Sequence, residues 1–431
     1  MPNQAFQSLK ERPYWTDAFP IASSSYGQPI ELPARTALAI IGGGLTGLST
    51  ALHAAKNGAQ TVLFEQETIG WGASTRNAGM ALTGLKLPPE KLVKKFGHGQ
   101  AQRFFQISIK AIADLEQLLV AEKIDCDFRR CGDLCVAYKP SHFGGLAASQ
   151  KFLQENFCHE TQLLSPAELQ RELGSVVYHG GLIDAKSASL HPAKLVAGLA
   201  DAARRAGVMI FERTPVVGCR PDSAGFLLET PRGAIQTREL VAATNAYTPS
   251  FLSNLRRRII PVGSYIIVTE ILKKNLAAEL LPTNRMVYDT KNFLFYFRRT
   301  PDDRLLFGGR TSFTPMADHQ AAKILQRDML QVFPQLHPVK IEYAWHGNVG
   351  FAFDQMPHLG VHERIHYAMG YAGHGVVMSV YFGKCLGQIL CGEQCESPFL
   401  NLSFPSRIFY RHRPWFLLVA GVYYKFRDRF F

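Results

Sequence analysis

The chain has 431 residues, of which 47% are hydrophobic and 19% are charged, an ordinary globular composition that supplies a sizeable core for roughly two or three domains. Its net charge of +12 suits a nucleic acid, an anionic membrane surface or an acidic substrate as partner. Because the basic residues are scattered, except near the C-terminus, the composition argues against nucleic-acid binding.

The eight cysteines, at positions 126, 131, 135, 158, 219, 385, 391 and 395, lack the C-x2-C spacing of zinc and iron–sulfur sites. We therefore expect isolated thiols in a reducing compartment and no bound metal. Met1–Pro20 has no apolar core segment, so no signal peptide is predicted. No stretch approaches the roughly 18 apolar residues of a spanning helix, and we predict a cytoplasmic protein.

The N-terminal arm, residues 1–35, is rich in proline, serine and aromatic residues and is predicted to lie over the surface of the folded body. A β-α-β unit is predicted directly after it, from Thr36 to Gln66. Five consecutive apolar residues, Ala37–Ile41, suit a parallel strand buried on both faces. The predicted helix runs from Leu48 to about Lys56, and a second strand covers residues 60–65.

Three glycines stand between this strand and this helix at G-x-G-x-x-G spacing, the fingerprint of a dinucleotide site. Gly42 permits the tight turn, Gly44 leaves no Cβ between the backbone and a pyrophosphate, and Gly47 lets the helix lie close to the strand. Glu65 follows Gly47 by eighteen residues, near the separation of about 20 for an acid that hydrogen-bonds a ribose, and it disfavours NADP. A chance glycine-rich turn is the alternative, which the flanking strand, helix and acid disfavour.

The next glycine-rich stretch, Gly70–Met80, has too many small residues to pack as an ordinary element, so we expect something flat to lie against it. Apolar spacing then predicts a long helix between Gly99 and Glu122 on the surface of a second domain. A strand is predicted at Leu134–Tyr138, followed by helices at Ser141–Asn156 and Pro166–Leu173. A proline-started helix at Pro192–Arg205, a strand at Val208–Phe211 and a hairpin near Phe226–Ile235 come next. Apolar Leu240–Ala243, which leads into Thr244-Asn245-Ala246, indicates a return to the nucleotide domain.

The segment Ile259–Gly309 is dense in β-branched and aromatic residues and predicts a sheet able to cover a ligand, with strands at Ser264–Glu270, Phe293–Arg299 and Leu305–Gly309. A helix over Ala317–Val332 follows. Strand Ile365–Ala368 then runs into Gly370–Val377, which opens a helix to about Leu390. This second glycine-lined helix N-terminus is a place for an anion or a flavin carbonyl.

Several stretches, in their order along the chain, resemble the family of FAD amine oxidoreductases that contains D-amino-acid oxidase, glycine oxidase and sarcosine oxidase. They are GGGLTG from Gly42, GWGASTRNAG from Gly70, LLFGGR from Leu305, the turn Asp354–Pro357 and GHGVV from Gly373. The GWGAS-type loop and the aromatic-rich tail look most like the bacterial γ-glutamylputrescine oxidoreductase branch.

The resemblance implies an α/β fold: a Rossmann-like FAD-binding domain of the glutathione-reductase type with an inserted antiparallel-sheet substrate domain of α+β character. The FAD-binding domain would be discontinuous, over residues 1–90, 175–250 and 340–400, and the substrate domain would cover 91–174 and 251–339. Residues 401–431 form a basic aromatic C-terminal tail. A hydride would leave an amine-bearing carbon for flavin N5.

Carried onto matching positions, the resemblance also implies the residues that hold FAD. The ADP half would be held by Gly42, Gly44, Leu45, Thr46, Gly47, Glu65 and Gln66, with the Val217 backbone on the adenine side. The residues beside the isoalloxazine would be Ser74, Thr75, Arg76, Asn77, Ala78, Gly79 and Met80. Gly373, His374, Gly375 and Val376 would face the pyrimidine edge, where helix dipole and N–H groups stabilise the anionic reduced flavin.

Three departures from the family pattern restrict the chemistry. Where monomeric sarcosine oxidases clamp the substrate carboxylate with Arg and Lys, this chain has Gly79 and Val377, so sarcosine is disfavoured. Trp345 and Asn77 stand where relatives attach flavin covalently, so we predict dissociable FAD. The strand Leu305–Gly309 has no oxygen-activating Lys, which leaves both O2 and a quinone or other carrier open as electron acceptor.

Amine oxidation needs a wall that desolvates a neutral amine and aims its C–H bond at N5. The candidates for this wall are Tyr265, Tyr296, Arg298, Arg310, Trp345 and His346, of which Tyr265, Tyr296, Arg310 and His346 are taken as the catalytic set. Ordinary strand packing is the alternative for the tyrosines, loop ordering or an ion pair for Arg310, and a structural role for His346.

The tail Phe404–Phe431 interleaves basic and aromatic residues and is predicted either to sit in a membrane interface, peripheral to the inner membrane, or to pack back on the body as a strap. Three functions follow as hypotheses. The first is oxidation of an amine such as a γ-glutamylated polyamine, giving an imine that hydrolyses, with O2 as acceptor. The others are an amino-acid dehydrogenase that reduces a quinone or another carrier, and a non-enzymatic flavin-binding sensor or scaffold.

Overall fold

The structure, a computed structural model, describes residue 6 and residues 8–21, 31–309, 313, 315–400, 402–411 and 414–430, without the side chains of residues 425, 429 and 430. The strands in chain order are β1 Arg35–Ile41, β2 Thr61–Phe64, β3 Met80–Ala81, β4 Asp133–Val136, β5 Gln162–Leu164, β6 Gly181–Asp184, β7 Ala188–Ser189, β8 Met209–Phe211, β9 Gly218–Asp222, β10 Gly225–Thr230, β11 Gly233–Ala242, β12 Ile259–Thr269, β13 Met286–Asp289, β14 Phe295–Arg299, β15 Leu305–Gly309, β16 Ile341–Ala352, β17 His358–His362 and β18 Ile365–Met369.

The helices in chain order are α1 Tyr14–Ala18, α2 Leu45–Lys56, α3 Ala73–Arg76, α4 Pro89–Phe96, α5 His98–Glu122, α6 Pro140–Phe157, α7 Pro166–Leu169, α8 Pro192–Arg205, α9 Ser253–Arg256, α10 Lys274–Leu280, α11 Asp318–Val332, α12 Gly375–Leu390 and α13 Phe416–Phe430.

The first sheet has the strand order β17-β18-β11-β1-β2-β8, with β10 and β9 attached at β11. β1 is parallel to both β2 and β11, and β2 is parallel to β8, as expected for crossover connections through helices. Helices α2, α8 and α12 share one hydrophobic core with the strand residues Leu38 and Ile40. The sheet therefore has the Rossmann-like arrangement that the sequence predicts.

The second sheet has the order β16-β12-β15-β14-β13-β4-β6-β5 and is antiparallel except where β13 runs parallel to β4. Because side chains alternate along each strand, its two faces carry different residues. One face, which includes Ile267 and Phe307, packs in a single core with Leu325 of α11. The other face, which includes Ile266 and Trp345, packs with residues of α1 and of the loop before β3.

Several predicted elements are confirmed at their bounds. α8 begins at Pro192 and ends at Arg205, β15 covers Leu305–Gly309, and α12 begins at Gly375. α2 begins at Leu45, three residues earlier than predicted, because the helix continues to its glycine N-cap, Gly44.

Two placements differ from the prediction. α5 lies in the same core as α2, α8 and α12, beside the first sheet, and not on the surface of the second domain. The middle of the N-terminal arm does not lie over the surface, because Tyr14 and Trp15 of α1 are buried among residues of the second sheet. The domain bounds themselves stay a prediction, although residues 341–352, assigned to the FAD domain by sequence, form β16 of the second sheet.

Candidate functional site

A cavity lies where β1, β2 and β11 end and α2 and α12 begin. Its empty volume is about 1220 Å³, part of which is open solvent at the cavity mouth. Ligands of open α/β sheets bind in this position, outside the carboxyl ends of the strands.

The turn from β1 into α2 is built on close backbone approaches. Gly42 has a φ of +110°, and a Cβ at Gly47 would lie 2.0 Å from the Gly42 carbonyl oxygen. The first turn of α2 can therefore lie against the end of β1 only with glycine at both positions.

The N-terminus of α2 opens on the cavity between two hydroxyl groups. Ser74 Oγ accepts a hydrogen bond of 3.0 Å from the Leu45 N–H, and Thr46 Oγ1 lies 2.7 Å from the Tyr371 hydroxyl oxygen. A Cβ at Gly44 would stand 2.7 Å from Ser74 Oγ. A side chain at residue 44 would therefore collide with the hydroxyl that accepts the first N–H of α2.

Glu65 lies at the end of β2 with its carboxylate in the cavity wall. Its Oε2 accepts a 2.7 Å hydrogen bond from the Gly43 N–H, and its Oε1 accepts a 2.9 Å bond from the Glu67 N–H. Burial raises the pKa of this carboxyl group, against the effect of these two N–H donors. Each oxygen keeps a second lone pair, so the group can still accept a bond from a ligand hydroxyl.

The loop Gly70–Met80 contains the short helix α3 and is held by the side chain of Asn77. Its Nδ2 donates to the Ala73 and Ser74 carbonyl oxygens at 3.0 and 2.9 Å, and its Oδ1 accepts from the Gly79 N–H at 2.8 Å. The Asn77 amide therefore serves to shape the loop.

Two tryptophans fix the same loop from outside. Trp15 Nε1 donates to the Asn77 carbonyl oxygen at 2.8 Å, and Trp345 Nε1 donates to the Arg76 carbonyl oxygen at 3.0 Å. Trp345 is buried, so its indole serves to order this loop.

Arg298 holds the end of the loop. Its Nη1 donates to the carbonyl oxygens of Ala78 at 3.3 Å, Gly79 at 2.8 Å and Leu190 at 3.0 Å. Burial lowers the pKa of this guanidinium to about 10. Gly79 has a φ of +68°, and a Cβ there would lie 2.2 Å from the Leu190 carbonyl oxygen, so residue 79 has no space for an arginine side chain.

The turn from β18 into α12 meets the cavity from the opposite side. Gly373 has a φ of +102°, and Gly375 and Val376 of the first turn of α12 line the cavity. His374 Nδ1 is buried without a hydrogen-bond partner among the described residues, and burial lowers the pKa of this imidazole to about 4. The histidine is neutral at pH 7.

Part of the sequence-predicted cofactor set lines the cavity: Gly42, Gly44, Leu45, Thr46, Glu65, Gln66, Ser74, Asn77, Gly373, Gly375 and Val376. The rest lies beside it or behind it: Gly47, Thr75, Arg76, Ala78, Gly79, Met80, Val217 and His374. Val217 is exposed and its N–H donates to the Glu229 carbonyl oxygen, whereas the neighbouring Val216 lines the cavity.

The catalytic candidates are divided between the two faces of the second sheet. Tyr265 pairs with His346, and both lie on the face turned to α11, where His346 Nδ1 is 2.6 Å from Asp318 Oδ1. Tyr296 lies on the other face, where its hydroxyl is 2.8 Å from Ser264 Oγ. Arg310 lies outside the described residues.

Several cavity residues were not in the predicted set. They are on the β11 exit, on β16 and before α12: Thr244, Asn245, Tyr247, Asn348, Val349 and Tyr371. Asn245 Oδ1 accepts the Gly370 N–H at 3.0 Å, and Tyr247 OH accepts the Asn348 N–H at 3.0 Å. Asn245 and Tyr247 could have been found, because they follow a parallel strand whose end meets the same sheet edge.

The residues present fit a dinucleotide flavin. Neither α2 nor α12 is capped by its own N-cap side chain, and apart from the Leu45 N–H, which Ser74 Oγ accepts, the first N–H groups of these helices need acceptors. The cradle that a Cβ at Gly44 would fill lies directly at α2, where a diphosphate meets the helix dipole. The Gly70–Met80 loop and α12 would then hold the flavin ring system.

Comparison with known proteins decides the cofactor. A sequence profile of the DAO family, described as FAD dependent oxidoreductase, matches residues 37–389. The chain belongs to the DAO family of FAD-dependent oxidoreductases. The predicted family, the predicted flavin cofactor FAD and the assignment as an oxidoreductase are thereby confirmed, and a non-enzymatic scaffold is set aside.

Two relatives of this DAO-family chain match it along most of its length. The probable oxidoreductase OrdL of Haemophilus influenzae is 33% identical over 399 residues, which cover 91% of this chain and 91% of the relative. The gamma-glutamylputrescine oxidoreductase of Escherichia coli is 31% identical over 394 residues, which cover 90% of this chain and 92% of the relative.

The solved structures agree on the fold of the DAO-family chain. Glycine oxidase from Geobacillus kaustophilus superposes with a TM-score of 0.73 at 21% sequence identity, covering 87% of this chain and 100% of that chain. At this identity the likeness carries the fold alone. The predicted fold class is confirmed.

Proposed function

We propose that this enzyme oxidises the C–N bond of an amine of the γ-glutamylputrescine type, and not a sarcosine-like α-amino acid. The observation that carries the proposal is the packing of the two positions at which sarcosine oxidases place carboxylate-binding cations. Residue 79 is a glycine pressed against the Leu190 carbonyl oxygen, and Val377 is buried in the core of the first sheet. Neither position can present a cation to a substrate carboxylate.

The similarity to the Escherichia coli gamma-glutamylputrescine oxidoreductase supports an amine as the group that reacts. In such a substrate the reactive amine is distant from any carboxylate. A site without the two cations has no charged group that binds a carboxylate beside the reacting amine. It suits an amine that binds in its neutral form, which hydrogen-bonding and aromatic side chains can desolvate and orient.

FAD, when bound, supplies a hydride acceptor at flavin N5, and the imine product hydrolyses to an aldehyde. The residues of the chain bind the flavin and the amine and orient them. The first N–H groups and the dipole of α12 would favour the negative charge of a reduced flavin bound beside them. Tyr296 and Ser264 stand on the face of the second sheet that also carries Trp345, and we propose this face as the substrate wall.

The proposed substrate wall differs from the catalytic set that the sequence predicts. Tyr265 and His346 face α11 on the opposite side of the sheet, so we propose a packing role for Tyr265 and a hydrogen-bonding role for His346 with Asp318. Arg298 is proposed as a positioning residue for the flavin loop. The FAD-binding roles of the cavity residues are likewise part of this proposal.

We also propose that FAD is held without a covalent bond. Trp345 and Asn77 occupy the positions of covalent attachment in relatives, and both are engaged in ordering the loop. Acid precipitation of the protein should leave the flavin in the supernatant, whereas flavin that stays with the pellet would contradict the proposal.

The electron acceptor is proposed to be O2 or a quinone-like carrier at the membrane. The strand β15 has no lysine, which favours a carrier over rapid reaction with oxygen. Peroxide formation reports electron transfer to O2, and reduction of a dye reports transfer to a carrier. Measured with the same reducing amine, the two separate the acceptors.

The deciding experiment is an absorbance-monitored anaerobic titration of the purified yellow protein with amines and amino acids. A γ-glutamylated diamine should bleach the flavin, whereas sarcosine and glycine should not. Bleaching by sarcosine or glycine with equal or greater efficiency would contradict the proposed substrate class.

A further inference from the structure

The C-terminal helix α13 carries an apolar stripe that faces away from the protein. The exposed residues of the stripe, with Trp415 directly before the helix, recur three or four positions apart on one side, and each is between 56% and 73% exposed: Trp415, Leu418, Val419, Val422 and Tyr423. Soluble monomers rarely present a contiguous apolar surface of this kind without a partner.

The opposite side of α13 is attached to the body, which holds the stripe outward. Phe416 and Leu417 pack with Ile260 and Val262 of β12, together with Tyr410. The Tyr410 hydroxyl donates to the Ile259 carbonyl oxygen at 2.8 Å. The strap predicted from the sequence is therefore present, but it leaves one apolar face of α13 uncovered by the described residues.

A second contact anchors the far end of α13. The Asp428 carboxylate accepts hydrogen bonds from the backbone N–H groups of Asn292 and Phe293, each at 2.8 Å. Both ends of the helix are thus tied to the second sheet, and the exposed stripe lies on a supported surface.

The charge around the stripe has one sign. Residues 397–431 contain Arg407, Arg411, Arg413, Lys425, Arg427 and Arg429, and Asp428 is the one acidic residue of that segment. Arg407, Arg411 and Arg427 are exposed, whereas the Asp428 carboxylate is turned to the body. The apolar stripe is therefore bordered by positive charge.

The apolar stripe and the positive charge around it distinguish between the possible binding partners of α13. A second copy of the chain, related by a twofold axis, would bring two basic borders together at the edge of an apolar contact. An anionic lipid surface complements both properties, because acyl chains accept the apolar side chains and headgroups attract the arginines at about 1 kcal/mol each. Trp415 and Tyr423 are also of the residue types that favour the membrane interface.

We propose that α13 docks the enzyme on an anionic phospholipid surface, with the helix parallel to the membrane plane and the stripe inserted among the headgroups. The docking is peripheral: among the described residues, no helix has both the length and the apolar character that crossing a bilayer requires. The proposal does not depend on the identity of the amine.

The test is flotation of the full-length FAD-loaded protein with vesicles of phosphatidylcholine, with and without phosphatidylglycerol. The protein should float with the vesicles that contain phosphatidylglycerol and much less with phosphatidylcholine alone. The double variant Leu418→Asn, Val422→Asn should lower the partition coefficient about tenfold for each side chain changed. The double variant Arg407→Gln, Arg411→Gln should lower it only where phosphatidylglycerol is present.

Matched controls change exposed residues elsewhere on the surface. Val176→Asn with Val361→Asn removes two exposed valines, and Arg103→Gln with Arg238→Gln removes two exposed arginines, away from α13. The controls should float as the unchanged protein does, and all variants should keep their FAD.

Three results would overturn the proposal. The first is full-length protein that stays with the unbound fraction in the presence of phosphatidylglycerol. The second is flotation that the controls reduce as much as the stripe variants do. The third is an unchanged protein that binds no vesicles and is a dimer by light scattering, whereas the Leu418→Asn, Val422→Asn variant is a monomer. That result would assign the stripe to a second copy of the chain.

Discussion

Arg298 donates from Nη1 to the carbonyl oxygen of Gly79 at 2.8 Å, and through this bond the second sheet holds the loop that follows α3. The same nitrogen also reaches the carbonyl oxygens of Ala78 and Leu190. A single buried guanidinium thus joins two backbone segments, at residues 78–79 and at Leu190, beside the proposed flavin ring site. The loop is thus ordered by this side chain together with those of Asn77, Trp15 and Trp345.

Replacing Arg298 by Met should loosen the loop and weaken FAD binding. The three carbonyl oxygens lose a charged donor in a buried place, which should lower the free energy of unfolding by about 2–4 kcal/mol. Fluorescence titration of the apoprotein with FAD and urea denaturation measure the two effects. Arg299→Met, on the neighbouring residue, removes an ion pair with Asp303 and should change the free energy of unfolding by less than about 1 kcal/mol.

The positioning role of Arg298 would be contradicted by a folded Met variant that binds FAD as tightly as the unchanged protein. Arg298→Lys keeps a charge but not the planar fork, so it should restore stability only in part.

Replacing Gly44 by Val should release FAD from a folded protein. The new Cβ would stand 2.7 Å from Ser74 Oγ, which accepts the first N–H of α2, so the branched side chain would distort the turn that should hold the diphosphate. Loss of two charge-assisted hydrogen bonds to the diphosphate should raise the dissociation constant of FAD about a hundredfold or more.

The matched control for Gly44 is Gly145→Val in α6, where an added Cβ meets no atom within 4 Å. The control should keep its full FAD content. A Gly44→Val protein that also purifies with full FAD would show that the diphosphate does not lie at α2.

Asp133 should make the stability depend on pH. Burial, followed by the negative charge of Asp184 on the adjacent strand, raises the pKa of the Asp133 carboxyl from 3.8 to about 7. The folded protein holds this proton while the unfolded chain loses it, so the stabilising contribution is present below pH 3.8 and is lost as the pH rises to about 7.

Asp133→Asn removes this dependence, so the free energy of unfolding of the unchanged protein should fall relative to the variant between pH 3.8 and about 7. Urea denaturation across that range measures the difference, and Asp201→Asn, at a partly exposed position, serves as control. A constant difference across the range would show that Asp133 is ionised in the folded protein.

The local part of the site could be predicted from the sequence. The β1-α2-β2 unit and the roles of Gly42 and Gly47 depend on residues close along the chain, and the structure gives each of these glycines a close backbone contact. β16 could not be predicted, because Gly347, Asn348 and Gly350 disfavour a strand and only pairing with β12 over its whole length compensates.

The side of the sheet on which each candidate lies also depends on long-range register. Tyr265 and Tyr296 both lie in segments that the sequence predicts as strands, but β12 and β14 place them on opposite faces of the second sheet. The burial of Trp15 likewise depends on a hydrogen bond to Asn77, a residue 62 positions further along the chain. Neither feature has a local pattern that would reveal it.

The central claim is that one cavity holds both halves of FAD, the ADP half at α2 and the flavin half at the Gly70–Met80 loop and α12. Titration of the folded apoprotein with FAD and, separately, with FMN tests it most directly, with quenching of flavin fluorescence as the measurement. We predict tight stoichiometric binding of FAD and much weaker binding of FMN, which lacks the adenosine half that α2 and Glu65 would hold. A folded apoprotein that takes up no FAD, or that binds FMN equally well, would contradict the account.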